Sequence, residues 1–308
     1  ADLAPPPPPA AERVRALVAL GDDFTAQGLH GEAMERYLAA RELAPADAGA
    51  TAGLARTLVR LGRAAEAVPL AEHLAGASPH DADAHALRAE ALAGAGDLRG
   101  ALDAMERAVT LAAGRADLRH RQGELRARYG DVEGAITALR QGLALDGDQA
   151  AARRLLAGLL VDRGQLVEAE RELRLALAAV PTYAEATLAL AGLCRELGRA
   201  REARDLLIAL LERDPYDLAA LVALGETLYE LGRRPDAAAA LARVLRFDPE
   251  HPGALFHQGV LLADQHRARD AVQCWLTVIA VDVRGTYAER ARRAAAALGV
   301  RGALELVA

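Results

Sequence analysis

Lysine and asparagine are absent from this chain of 308 residues, and serine occurs once, at Ser78. Without lysine there is no Schiff-base chemistry, and a Ser-His-Asp triad would have to draw its nucleophile from that one position. All 37 basic residues are therefore arginine, which favours planar, bidentate contacts to any anion bound. A GC-rich bacterial genome accounts for the same bias without a function. Cysteine is scarce too. Cys194 and Cys274 form no CxxC pair, and nothing in them demands an oxidising compartment. Aromatic residues make up 3% against 52% hydrophobic, most of it Ala and Leu; that suits closely packed helices and argues against a β-rich core. No uncharged apolar run reaches the roughly 18 residues of a membrane-spanning helix, and no basic stretch with an apolar one behind it opens the chain. The formal net charge of −6 gives no electrostatic case for nucleic acid. GxGxxG, P-loop and HExxH motifs are missing, so no cofactor is expected and catalysis has no foothold.

What the chain does have is a period. Residues 184–217, AEATLALAGLCRELGRAREARDLLIALLERDPYD, read as a helix, a break at Gly198, a second helix and a stop at Asp214–Pro215. A shift of about 34 residues in either direction returns the same skeleton. Alanine recurs at Ala33, Ala67, Ala101, Ala135, Ala169, Ala203, Ala237 and Ala271. Glycine recurs at Gly28, Gly62, Gly96, Gly130, Gly164, Gly198 and Gly232, and gives way only at His266. A third small column runs through Gly21, Ala55, Ala89, Gly123, Ala157, Ala191, Gly225 and Gly259. The glycines supply the turn that reverses the chain. The alanines mark close helix crossings, where a larger side chain would overpack. An acidic residue before the column alanine (Glu32, Glu66, Glu168, Glu202, Asp236, Asp270) suits the dipole of the second helix. Proline closes the unit at Pro45, Pro79, Pro181, Pro215 and Pro249, while Ala113, Gly147 and Val283 replace it at other junctions.

These columns resemble the tetratricopeptide repeat (TPR), a helix-turn-helix unit of about 34 residues. The tryptophan often found in the family's first helix is missing; Leu17, Thr51, His85, Arg119, Arg153, Thr187, Leu221 and Leu255 stand there. The resemblance implies an all-α fold, a right-handed α-solenoid. It gives a proline-rich linker or tail at 1–13 and eight repeats at 14–47, 48–81, 82–115, 116–149, 150–183, 184–217, 218–251 and 252–285. A capping helix and tail follow at 286–308. Its TYAERARRAAAALG stretch has a charged side at Glu289, Arg290, Arg292 and Arg293, as an end repeat needs. The run Pro5–Pro9 is expected to be an extended spacer, with a ligand for a proline-reading domain as the alternative. Cys194 and Cys274 then sit in repeats six and eight, beyond bridging range.

In the family the first helices line a concave groove, and carrying those positions over gives two zones. Repeats four and five contribute His120, Arg121, Arg128 and Arg154, with Glu124 and Asp162 nearby. The functional reading is a grip on an anion or carboxylate; the plain one is a solvated helix face with internal Arg–Glu pairs. Repeats six to eight contribute Leu188, Val222, Tyr229, Phe256 and Val260, edged by Arg195, Glu226, Glu230 and Asp264. Exposed, such a cluster marks a partner site; the alternative is that the C-terminal helix folds over it. The Lys/Asn carboxylate clamp and the asparagine ladder known in the family are excluded, since neither residue type is present. One groove position reads Asp22, Arg56, Glu90, Glu124, Gly158, Gly192, Glu226 and Val260, with no regular amide row. His80, Asp81, Asp83 and His85 make the densest potential metal cluster. They straddle a repeat junction where Asp caps helices, and no metal site is expected.

The reading that results is a non-catalytic scaffold that binds a segment of another protein in its groove. Apolar anchoring is expected near repeats six to eight and arginine contacts near four and five. Two alternatives are a self-assembling scaffold and the recognition arm of a larger enzyme or membrane-anchored complex. No nucleic acid and no membrane insertion are expected. The compartment is open, with the cytoplasm favoured and a periplasmic or tethered placement through an upstream segment as the other choice.

Overall fold

The computed structural model describes residues 9–298, which form helices joined by short turns, with no strand among the described residues. The chain divides into two compact units, residues 1–159 and 160–308. The first holds α1 (Ala10–Ala26), α2 (His30–Leu43), α3 (Ala48–Arg60), α4 (Ala64–Ala77), α5 (Ala82–Gly94), α6 (Leu98–Leu111), α7 (Ala116–Tyr129), α8 (Val132–Leu145) and most of α9 (Ala150–Asp162). The second holds α10 (Leu166–Ala179), α11 (Ala184–Glu196), α12 (Ala200–Arg213), α13 (Leu218–Glu230), α14 (Arg234–Phe247), α15 (Pro252–Asp264), α16 (Ala268–Val281) and α17 (Thr286–Ala297).

The period survives in the backbone. From α3 onward every odd-numbered helix starts 34 residues after the previous one, and every even-numbered helix does so from α2. α1 begins at Ala10, inside the stretch expected as linker, with Pro9 at its N-cap at φ −53° and ψ 148°. Ala10, Ala11 and Glu12 are strong helix formers, so the helix reaches back to the last proline. Pro5–Pro8 lie outside the described residues.

All seven column glycines have positive φ, from 72° at Gly164 and Gly198 to 94° at Gly96. His266 holds the same left-handed turn at φ 61° without glycine's freedom. Asp47, Asp97, Asp131 and Asp217 cap the helices that follow them, each accepting from the backbone N–H three residues on. Where the second helix opens on an arginine instead, that side chain pairs with the first-turn acid, as in Arg63–Glu66, Arg199–Glu202, Arg233–Asp236 and Arg267–Asp270.

The column alanines from Ala33 to Ala271 are fully buried, each at 0% exposure. The third column shows a local complementarity. Its glycines stand where the facing second helix presents a bulky side chain: Tyr37 against Gly21, Leu139 against Gly123, Leu241 against Gly225 and Trp275 against Gly259. A Cβ on Gly123 would lie 2.6 Å from Leu139 Cγ, well inside contact distance. Within the second unit Cys194 is buried, Cys274 is half-buried and both thiols are free. Burial pushes both thiols' pKa up, so each behaves as a small apolar filler.

Candidate partner-binding surfaces

In the first unit, the groove positions of successive first helices open onto one cavity of about 630 Å³. Arg121 and Arg128 on α7 and Arg154 on α9 line it, as do Arg60, Glu90 and Glu124. Its floor is apolar, built from Val59, Ala93, Met105, Leu125 and Leu155. Arg121 forms an ion pair with Glu90 on α5. Arg128 donates through Nη2 to the Ala93 carbonyl at 3.1 Å, a last-turn acceptor of α5. Four arginines and two glutamates line the cavity, an excess of guanidinium over carboxylate in a chain that is negative as a whole. His120 lies outside the lining; its Nε2 is 3.4 Å from Glu124 Oε1. Asp162 falls in the second unit.

Val59, Arg60, Glu90 and Ala93 were not assigned to a zone by the sequence, yet they stand at the same first-helix positions in repeats two and three. The signal was present there. A cavity between stacked helices is shared by several repeats, so a zone confined to repeats four and five cuts it short.

The second unit places its zone differently. Phe256 is 6% exposed and Val222 5%, while Leu188, Tyr229 and Val260 are half-buried. Tyr287 and Arg290 of α17 cover Phe256, with ring centroids 5.9 Å apart for the tyrosine and the guanidinium 4.4 Å above the ring. Phe256 belongs to the core that includes Trp275 and Ala291, so the apolar stripe is closed at that end. The reason lies in the period: α17 starts 34 residues after α15 and stacks where another repeat's first helix would stand. Tyr229 is also engaged. Its hydroxyl donates to Asp264 Oδ2 at 2.9 Å, and Arg234 lies 5.8 Å from its ring.

The charged edge of this stripe pairs with itself. Arg195 on α11 holds Glu226 at 2.8 Å and Glu230 at 2.6 Å, both on α13. Arg290 approaches Glu226 Oε1 to 3.5 Å, and His257 Nε2 lies 3.6 Å from the same oxygen, outside hydrogen-bonding distance. Burial raises the cost of charge on Glu226, but the Arg195 hydrogen bond and the nearby cations hold its carboxyl below the usual range. Burial pushes the His257 pKa down to about 4, which keeps the imidazole neutral at pH 7.

The junction cluster of histidines and aspartates serves the backbone. His85 Nε2 is 3.1 Å from the Pro79 carbonyl, Asp81 accepts from the Asp83 N–H at 2.9 Å, and Asp83 pairs with Arg115 at 2.6 Å. Among the described residues, no three His, Cys, Asp or Glu side chains gather as metal ligands.

The profile of one family, described as "Tetratricopeptide repeat", matches residues 24–91, 126–193, 160–215 and 195–258. No curated protein matches the sequence. Among solved structures, a thermophilic TPR protein of Thermus thermophilus aligns at 26% identity and TM-score 0.52, over 58% of this chain and 98% of that one. A tetratricopeptide repeat protein of Parabacteroides merdae aligns at 16% identity and TM-score 0.55, over 92% and 98% respectively. The APC/C hetero-tetramer Cut9–Hcn1 aligns at 13% identity and TM-score 0.62, over 91% of this chain and 55% of that one.

Proposed function

We infer the function from one premise: the chain belongs to the tetratricopeptide repeat family, whose stacked helix pairs present extended surfaces for other proteins. The protein is a non-catalytic interaction scaffold. Its first unit binds a segment of a partner protein in the cavity bounded by Arg60, Arg121, Arg128 and Arg154.

The observation that carries this reading is the pairing of an apolar floor with an arginine-rich rim. A floor of Val59, Met105, Leu125 and Leu155 offers a seat for an apolar side chain, and desolvation there supplies the affinity. Guanidinium groups around it favour a carboxylate-bearing segment and fix its register. The stripe of repeats six to eight contributes less than its sequence suggested, because Phe256 lies under α17.

The test uses the full chain and a variant carrying Arg60→Glu with Arg128→Glu, two exposed positions whose reversal leaves the core untouched. Proteins retained from the native host by each are compared quantitatively. A partner held at least ten times better by the parent chain, at equal helicity and Tm, supports the cavity. Equal retention by both removes it as the site.

A further inference from the structure

In the first unit α1 turns an apolar face to water. Ala16 and Ala19 are exposed, and Leu20 is 46% exposed. Ala50, Ala186, Ala220 and Ala254, which share the repeat position of Ala16, are fully buried. Leu54, Leu156 and Leu190, which share that of Leu20, are at 3% or less, and Leu224 is half-buried. On α3 that burial comes from the preceding second helix: Ala50 packs with Ala40 of α2, and Leu54 joins Ala33 and Tyr37. The corresponding face of α1 is thus shaped to receive a helix, whereas a terminal helix ordinarily presents a polar outer face. α17 does so, with Glu289 and Arg293 turned outward and paired at 3.2 Å.

We propose that this face pairs with the same face of a second copy of the chain, α1 lying antiparallel to α1 about a twofold axis at the level of Val18. Charge decides the occupant and the direction. Arg13 lies five residues before Val18 and Asp23 five after. Both are exposed, on the stripe that carries Ala16 and Leu20, and neither has an ion-pair partner among the described residues. Antiparallel pairing brings each Arg13 to the Asp23 of the other copy, twice over. It also sets each Leu20 against the other copy's Ala16, a bulky side chain on a small one, with alanines that let the helix axes approach to about 8 Å. Parallel pairing would place like charges together, and the polar outer side of α17 offers no apolar counterpart for a head-to-tail contact. A face that pairs with itself closes at two copies and does not grow into a fibre. The contact is independent of the arginine cavity.

The test is sedimentation equilibrium of the full chain and of two variants, Arg13→Asp and Asp23→Arg, each alone and then mixed in equal amounts. The parent should reach a dimer and no further, and the dimer should weaken as salt rises. Each single reversal sets like charges against each other twice and should weaken dimerisation at least tenfold. In the mixture every reversed site meets its complement, so a heterodimer as tight as the parent dimer should form. Arg60→Glu with Arg128→Glu should dimerise as the parent does. The reversed positions are exposed, so each variant should keep the parent's helicity. A parent that stays monomeric at millimolar concentration, or assemblies that grow beyond two copies, overturn the proposal. So do single reversals that dimerise like the parent, or a mixture no tighter than its components.

Discussion

The guanidinium of Arg290 lies 4.4 Å above the ring of Phe256, joining α17 to α15 through a cation on an aromatic face. With the Tyr287 ring 5.9 Å away, this contact converts a groove residue into a core residue. It also changes what a mutation there reports.

Phe256→Ala should cost about 3–5 kcal/mol of stability, the range for truncating a buried phenylalanine. Tyr229→Ala removes a half-buried ring and one hydrogen bond to Asp264, and should cost about 1 kcal/mol. Urea denaturation of the two single variants separates them. Two equally small shifts would show that α17 is not seated on Phe256.

Acid should weaken the second unit through His257. The unfolded imidazole takes its proton near pH 6.5 and the folded one only near 4, so stability is complete above 6.5. It declines as pH falls between the two values and levels off below about 4. Full expression of that shift is on the order of 3 kcal/mol. Arg195 and Arg290 oppose the imidazolium, Glu226 and Glu230 favour it, and neutral Tyr287 adds only burial. His257→Gln should flatten the Tm-versus-pH curve between 6.5 and 4; an unchanged slope would mean that another group sets it.

Ala169 is fully buried, and a leucine there should overpack the helix crossing at about 1–3 kcal/mol. Arg174 bridges Glu170 at 2.7 Å and Glu202 at 2.5 Å from an exposed position. Arg174→Ala should therefore cost less than about 1 kcal/mol. Calorimetry of both variants decides the matter, and equal Tm shifts would count against the alanine column as a packing device.

Gly259→Ala should be destabilising by about 1–3 kcal/mol although alanine is the better helix former. Its Cβ would run into the Trp275 indole, whose Nε1 already donates to the Phe256 carbonyl at 3.1 Å. A neutral or raised Tm would show that the indole has room to move aside.

The helical fold was legible because it rests on local signals repeated in phase: a glycine at each reversal, an alanine at each crossing. The turn at His266 shows how strongly the frame holds, since the backbone keeps its left-handed conformation where the expected residue is absent. The partner surface was legible only in part. Helical spacing puts Phe256 and Arg128 on the same stripe of their first helices, but whether each meets solvent depends on what stacks beside it. Phe256 has α17 for a neighbour. Arg128 has α5 and α9, whose small and apolar side chains leave a hollow. Pairings such as Arg195 with Glu226 and Glu230, between residues 31 and 35 apart, follow from neighbouring repeats and not from either helix alone.

The fit of Gly259 to Trp275, like that of Gly123 to Leu139, is contained within a single helix pair, whereas Tyr37 is held between Gly21 of its own pair and Gly53 of the next. Removing the second pair would take Gly53 away from Tyr37, whereas removing the fourth would leave the remaining matches as they are. A repeat can therefore be gained or lost with its glycine fit preserved only where the glycine and its bulky partner lie in one pair.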